Sequence, residues 1–160
     1  MLKALPTVSK RIFLRDMLPE VADMEGKCKE DERAYCIVRQ ATEGDLHQIA
    51  QIYSRRQVRW EDDSVEEIRN TNLRDEWAWQ AYLCLCETGN LFRADGSPAF
   101  EYTEGSMHTR RIDGAFDEFL KVYGSFDPAV TRAIRLAIWD FNPTWDARPP
   151  KKTKAVSSNT

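Results

Sequence analysis

The sequence predicts an α+β fold, predominantly α-helical: a small N-terminal β-hairpin, a bundle of about four helices and a short β-turn unit. Three observations predict it. Two short strand-like runs lie near the amino terminus: 10–15, which alternates weakly, and 34–39, which is β-branched and aromatic. Helix-start chemistry at Thr42, Ser64 and Asp127 precedes apolar residues at helical spacing. Asp95-Gly96 sits between two apolar segments, where it supplies a turn.

Each element follows from its residues. The segment 34–39 (Ala-Tyr-Cys-Ile-Val-Arg) is the better strand, and 10–15 alternates weakly beside it. The polar stretch from Gly26 to Glu32 makes a hairpin with a long loop plausible, with 17–24 as a possible short helix inside it. Thr42 caps the next helix with Glu43 and Asp45 at the positive end of its dipole, although Asp45 is short for the reciprocal partner of a capping box. Leu46, Ile49, Ala50 and Tyr53 then form its expected buried stripe. Ser64 starts a further helical stretch with Val65 and Ile68, and the pattern restarts near Leu73, as one helix or two. From Trp77 to Cys86 apolar residues wrap the helix almost all round, with Gly89 as its expected stop. Around the Asp95-Gly96 turn, Phe92, Phe100 and Tyr102 are the expected buried side chains. Phe116, Phe119, Leu120 and Tyr123 make another stripe closed near Gly124. Asp127 caps the last helix with Pro128 at its first position; Val130, Ile134, Ala137, Ile138 and Phe141 form its stripe, and Pro143 stops it. The expected organisation is an N-terminal arm and hairpin over 1–33, a helical globular domain over 34–146 and a disordered basic tail over 147–160.

Composition narrows the function classes. Of 160 residues 42% are hydrophobic, enough for a core, and 26 acidic side chains nearly balance 23 basic ones. That balance argues against a general nucleic-acid binder. The longest near-apolar run, 78–86, is broken by Gln80 and falls far short of the roughly 20 residues a spanning helix needs. The first residues lack the pattern of a secretory signal, so a cytoplasmic location is expected, and with it reduced thiols at Cys28, Cys36, Cys84 and Cys86. Their spacing does not suit zinc, and the core is their expected place.

No catalytic constellation emerges. His47 is expected on an exposed helix flank and His108 in a polar connector, and neither neighbours a nucleophile. The acidic pairs at 62–63 and 66–67 are explained as helix-start charges. The glycines never take a phosphate-loop spacing. Catalytic, cofactor-binding and metal-binding residues are therefore all expected to be none.

Two resemblances bear on function. Residues 37–53 are similar to the opening strand and helix of the acetyl-CoA-dependent N-acetyltransferase superfamily, but the later strand and glycine-rich turn of that superfamily have no counterpart after Tyr53. A longer series begins with Glu76-Trp-Ala-Trp-Gln-Ala-Tyr-Leu-Cys-Leu-Cys86 and Leu91-Phe92. It continues through Asp95-Gly-Ser-Pro-Ala-Phe100, the aromatic pair Phe116 and Phe119, Asp127-Pro-Ala-Val-Thr-Arg-Ala-Ile134 and Phe141-Asn-Pro-Thr-Trp145. This order resembles the small tail assembly chaperones of tailed phages, encoded beside the tape measure protein, and covers roughly 34–146. The polar insert at 103–113 and the N-terminal arm depart from that pattern. The resemblance implies a non-enzymatic protein in the host cytoplasm that binds the tape measure or another tail protein, with homo-oligomerisation possible and no membrane or nucleic-acid partner. The alternatives are a virion structural protein, such as a head–tail connector or baseplate subunit, and behind it a degenerate acetyltransferase of the superfamily named above.

Contact with a partner falls to the aromatic residues. Trp139 is the first candidate because it lies off the 130–134–138–141 stripe, and Trp145, beyond Pro143, is the second. Trp79 and Tyr82 complete the set.

Overall fold

The computed structural model describes residues 9–49, 73–106 and 109–146. Three antiparallel strands form a sheet in the order β1-β2-β3: β1 Ser9–Phe13, β2 Tyr35–Arg39 and β3 Leu85–Gly89. Ser9 lies opposite Arg39 and Phe13 opposite Tyr35, while Tyr35 also faces Gly89 across the other ladder. The central strand is the most buried, with Cys36, Ile37, Val38 and Arg39 all inaccessible or nearly so. Its unbroken apolar run is what a strand covered on both faces requires.

The expected hairpin forms, and its long connection is ordered. Helix α1 (Leu14–Met17) and helix α2 (Pro19–Glu25) fill it, with Pro19 at the first turn of α2 and a 3-10 turn at Glu30–Glu32 before β2. Leu14, Leu18 and Val21 enter the same core as the later helices. The expected boundary at 33/34 therefore does not divide the packing: the segment from Ser9 onward is part of the one core. The polar stretch from Gly26 to Glu32 is the exposed outer turn of this packed connection. The rest of the expected arm, 1–8, and the expected tail, 147–160, lie outside the described residues.

Helix α3 begins at residue 43 and is described to 49. Thr42 and Asp45 cap each other: the Asp45 amide donates to Thr42 Oγ1 at 3.3 Å, and the Thr42 amide donates to Asp45 Oδ2 at 2.7 Å. Aspartate thus does reach as the reciprocal partner. Turning Asp45 inward leaves Leu46 41% exposed, which corrects its expected place in a buried stripe. Ala50, Tyr53, Ser64, Val65 and Ile68 lie outside the described residues.

Helix α4 (Leu73–Cys84) passes directly into β3. The expected single helix to Cys86 is therefore two elements. From Leu85 the backbone supplies the second ladder of β2, and that tertiary pairing outweighs the helical pattern. The Asp95-Gly96 turn forms as expected, with Gly96 at φ 84° and Asp95 Oδ1 accepting the Ser97 amide at 2.9 Å. Leu91 and Phe100 point into the core, but Phe92 is 55% exposed, since neighbouring residues of an extended segment face opposite ways.

Helix α5 (Phe116–Tyr123) buries Phe119 and Tyr123. Helix α6 (Pro128–Phe141) starts where the cap predicts, with Asp127 accepting the Ala129 amide, and its stripe at Ile134, Ala137 and Ile138 is buried. It packs across α1, α2, α4 and β2 and ends at Asn142. No helix among the described residues is long and apolar enough to cross a membrane.

Candidate functional site

Helix α4 presents Asp75, Trp79 and Tyr82 at i, i+4 and i+7, a single helical face. This face meets the start of α5. The Trp79 ring stacks on Phe116 at 4.0 Å between centroids and 12° between planes. Tyr82 stands edge-on to both, 5.5 Å from Trp79 and 5.6 Å from Phe116. Trp79, Tyr82 and Phe116 are each half-buried, packed against the core on one side and open to solvent on the other. The Tyr82 hydroxyl donates to the Gly114 carbonyl at 2.6 Å, which holds its ring in place. Burial, and then the nearby Asp113 charge, push the Tyr82 phenol above its ordinary range.

Deeper in, the aromatic series continues through Phe119 (5.4 Å from Tyr82) to Phe100 (5.2 Å further on). Phe100, Ile112, Phe119 and Val122 floor a cleft of about 140 Å³ on the far side of Gly114. Its rim carries Glu101, Asp113 and Glu118, with Arg93 also lining it. These acidic residues escaped sequence reasoning because 101 and 113 are brought together by pairing across a turn and 118 comes from α5, so no linear pattern joins them. The Tyr102–Ile112 bridge and the bond from the Asp113 amide to the Glu101 carbonyl make that pairing.

The candidates named from sequence divide. Trp79 and Tyr82 are brought together at this face. Trp145 is half-buried against the core in the 3-10 turn Pro143–Trp145. Trp139 is a correction: it is 4% exposed, and its indole N–H donates to Gln80 Oε1 at 2.9 Å. Lying off the main stripe of α6 does not expose it, because α4 packs on that second side. There Trp77 meets Trp139 edge-on at 5.9 Å, and the Arg135 guanidinium covers Trp77 at 3.9 Å.

The buried ionisable groups are occupied in holding the fold. Arg39, fully buried at the end of β2, makes two bonds to Asp45 (2.8 and 3.1 Å) and donates to the Gln40 and Leu83 carbonyls. Asn142 closes the same knot: it accepts the Ala41 amide at 2.7 Å and donates to the Arg39 and Ile138 carbonyls. Burial pushes the Asp45 carboxyl up, but hydrogen bonds from Arg39 and the Thr42 amide outweigh it and hold the group below the ordinary carboxylate range. Cys36, Cys84 and Cys86 are buried free thiols, as the sequence suggested, whereas Cys28 is only partly covered. Burial raises the Cys36 and Cys84 thiols to about 12, far from a nucleophilic thiolate at neutral pH. His47 lies on an exposed turn of α3 as expected, and His108 lies outside the described residues. Among the described residues, no three His, Cys, Asp or Glu side chains converge as metal ligands. Compared with family models, with curated proteins and with solved structures, the chain matches none.

Proposed function

We propose that this chain acts by binding another protein through the aromatic face of α4 and α5, without catalysing a reaction. Its role in this reading is that of a tail assembly chaperone, which covers the apolar helical tape measure protein in the host cytoplasm before the tail tube closes around it. The observation that carries the reading is the Trp79–Phe116 stack at 4.0 Å with Tyr82 pinned beside it. Three half-exposed rings held in fixed orientation offer contact area with little ordering left to lose on binding. Aromatic anchors of this kind dominate helix-in-groove recognition. The resemblance of 34–146 to the tail chaperones supplies the biological setting.

The test is co-expression with a tape measure protein, the long, apolar, helical partner this reading requires. A stoichiometric complex is expected, and Trp79→Ala is expected to weaken it by about 2 kcal/mol, roughly 30-fold. Mature particles should lack the chain. Its recovery from purified virions at fixed copy number would favour a head–tail connector or baseplate subunit. Saturable binding of acetyl-CoA in a calorimetric titration would favour an acetyltransferase and defeat the non-enzymatic reading.

A further inference from the structure

We propose that the aromatic face and the cleft beside it form one bipartite docking surface for a basic amphipathic segment of another protein. An apolar side chain of that segment rests on Trp79, Tyr82 and Phe116, and a neighbouring lysine or arginine enters the cleft rimmed by Glu101, Asp113 and Glu118. The inference rests on the protein-binding reading above and adds the partner's charge and a second point of contact.

The two halves rest on one buried ring, Phe119, which packs beneath both. Phe119 lies 5.4 Å from Tyr82 on one side and 5.2 Å from Phe100, in the cleft floor, on the other. Gly114 marks their boundary: its carbonyl takes the Tyr82 hydroxyl, and Glu118 Oε2 lies 2.8 Å from where a side chain on Gly114 would begin. At φ 87° this residue also occupies backbone space that favours glycine. A larger residue there would displace the Glu118 carboxylate from the junction.

The charge at the cleft is one-sided. Glu101, Asp113 and Glu118 are all exposed at its rim, and among the described residues lining it the one guanidinium is Arg93, whose Nε already donates to the Ala99 carbonyl at 3.2 Å. Asp117 adds a further acid on the same turn of α5, while Lys121 lies in its last turn. Acids at a helix start need no partner to explain them, which accounts for Asp117 and Glu118. Asp113 Oδ1 accepts the Gly114 amide at 3.0 Å just ahead of α5, which leaves Glu101 as the rim acid without a helix-start role. A volume of about 140 Å³ with an aromatic floor and a carboxylate rim suits the aliphatic stem and charged head of a lysine or arginine. A purely apolar occupant would cover the carboxylates without answering their charge, and an anionic one would be repelled.

The test uses two labelled helical peptides of the same amphipathic pattern, one pairing leucine with lysine and its twin pairing leucine with glutamate, followed by fluorescence anisotropy. The lysine peptide is expected to bind the whole protein and to weaken with added salt. The triple variant Glu101→Gln/Asp113→Asn/Glu118→Gln should lose about tenfold in affinity for it, three rim charge contacts of modest strength each, while staying folded with a melting midpoint lowered only slightly by the lost helix-start charge of Glu118. Equal binding of both peptides, or no loss in the triple variant, would overturn the basic-partner proposal. The aromatic face would still stand in that case if Trp79→Ala abolished the binding. Failure of both peptides to bind would remove both halves of the surface. Concentration-dependent self-association that the triple variant abolishes would assign the surface to a second copy of this chain and overturn the basic heterologous partner.

Discussion

Replacing Asp45 by asparagine should destabilise the protein far more than a neutral isostere normally would. Arg39 is fully buried, and Asp45 supplies the only carboxylate bonded to its guanidinium among the described residues, at 2.8 and 3.1 Å. Breaking a buried pair from one side leaves an uncompensated charge and costs about 3–5 kcal/mol. Asp45 also accepts from the Thr42 amide and hydroxyl, so part of a helix cap worth about 1 kcal/mol goes with it. The two losses share atoms and do not simply add. We expect a net loss of about 4 kcal/mol at pH 7, hence a fall in melting midpoint of about 10 °C for a domain of this size. Calorimetry and urea unfolding followed by tryptophan fluorescence measure it. Removing both charges, in Arg39→Met/Asp45→Leu, should recover part of the loss, since an apolar pair needs no charge compensation even though the Thr42 amide and the Leu83 carbonyl give up these partners. The sign with pH follows from the depressed carboxyl. Its folded value lies below its unfolded value of about 3.9, so the contribution is complete above that value and disappears as pH falls through the folded one. Wild-type stability should therefore drop more steeply in acid than that of Asp45→Asn. A loss under about 1 kcal/mol, with no recovery in the double variant, would refute the view that this pair is desolvated and structurally required.

Three further outcomes can be checked with the same purified protein. Asn142→Ala should cost about 2–3 kcal/mol in urea unfolding, because it orphans the Ala41 amide and removes the donor to the Arg39 and Ile138 carbonyls. Gln80→Leu should cost about 1–3 kcal/mol by stranding the buried Trp139 indole N–H, and the indole emission should shift measurably. At pH 8 a thiol reagent should modify Cys28 quickly in the native state, while Cys36 and Cys84, raised to about 12 by burial, react only on unfolding. Fast modification of all four thiols in the native protein would contradict the burial described.

Elements whose signal is local were legible in the sequence. The Asp127-Pro128 cap, the stripe of α6, the Asp95-Gly96 turn and the two strands of the hairpin all depend on residues within a few positions of one another, and all form where expected. What failed depended on distant partners. The boundary inside 77–89 is set by the ladder to β2, forty-odd residues earlier in the chain, and periodicity carries no trace of it. Trp139 looked outward because a single helix wheel shows one stripe, whereas α6 buries two sides against different elements. Arg39 went unread as a core residue because an arginine at a strand end is ordinarily exposed. A signal did exist there. An arginine closing an apolar strand, six residues before the aspartate of a helix start, has the right chemistry and reach for a buried pair.

The candidate site was half legible for the same reason. Trp79 and Tyr82 could be named as contact residues, while the acidic cleft assembles from a loop and a helix and has no linear pattern. Its position nevertheless follows from the buried knot. Helix α4 is gripped at its carboxyl end, where the Leu83 carbonyl takes the Arg39 guanidinium, and along its inner side, where Gln80 takes the Trp139 indole. Those two bonds fix the rotation of α4 about its axis. With Gln80 turned to α6, helical spacing leaves Trp79 and Tyr82 facing α5 and Gly114, where the stack on Phe116 and the hydroxyl bond to Gly114 both form. Unlocking the knot should therefore loosen the aromatic face before the sheet melts. In Asp45→Asn at a temperature where β2 and β3 amides stay protected, hydrogen exchange should already rise along α4; equal protection of α4 in the variant and the wild type would break the link between the two sites.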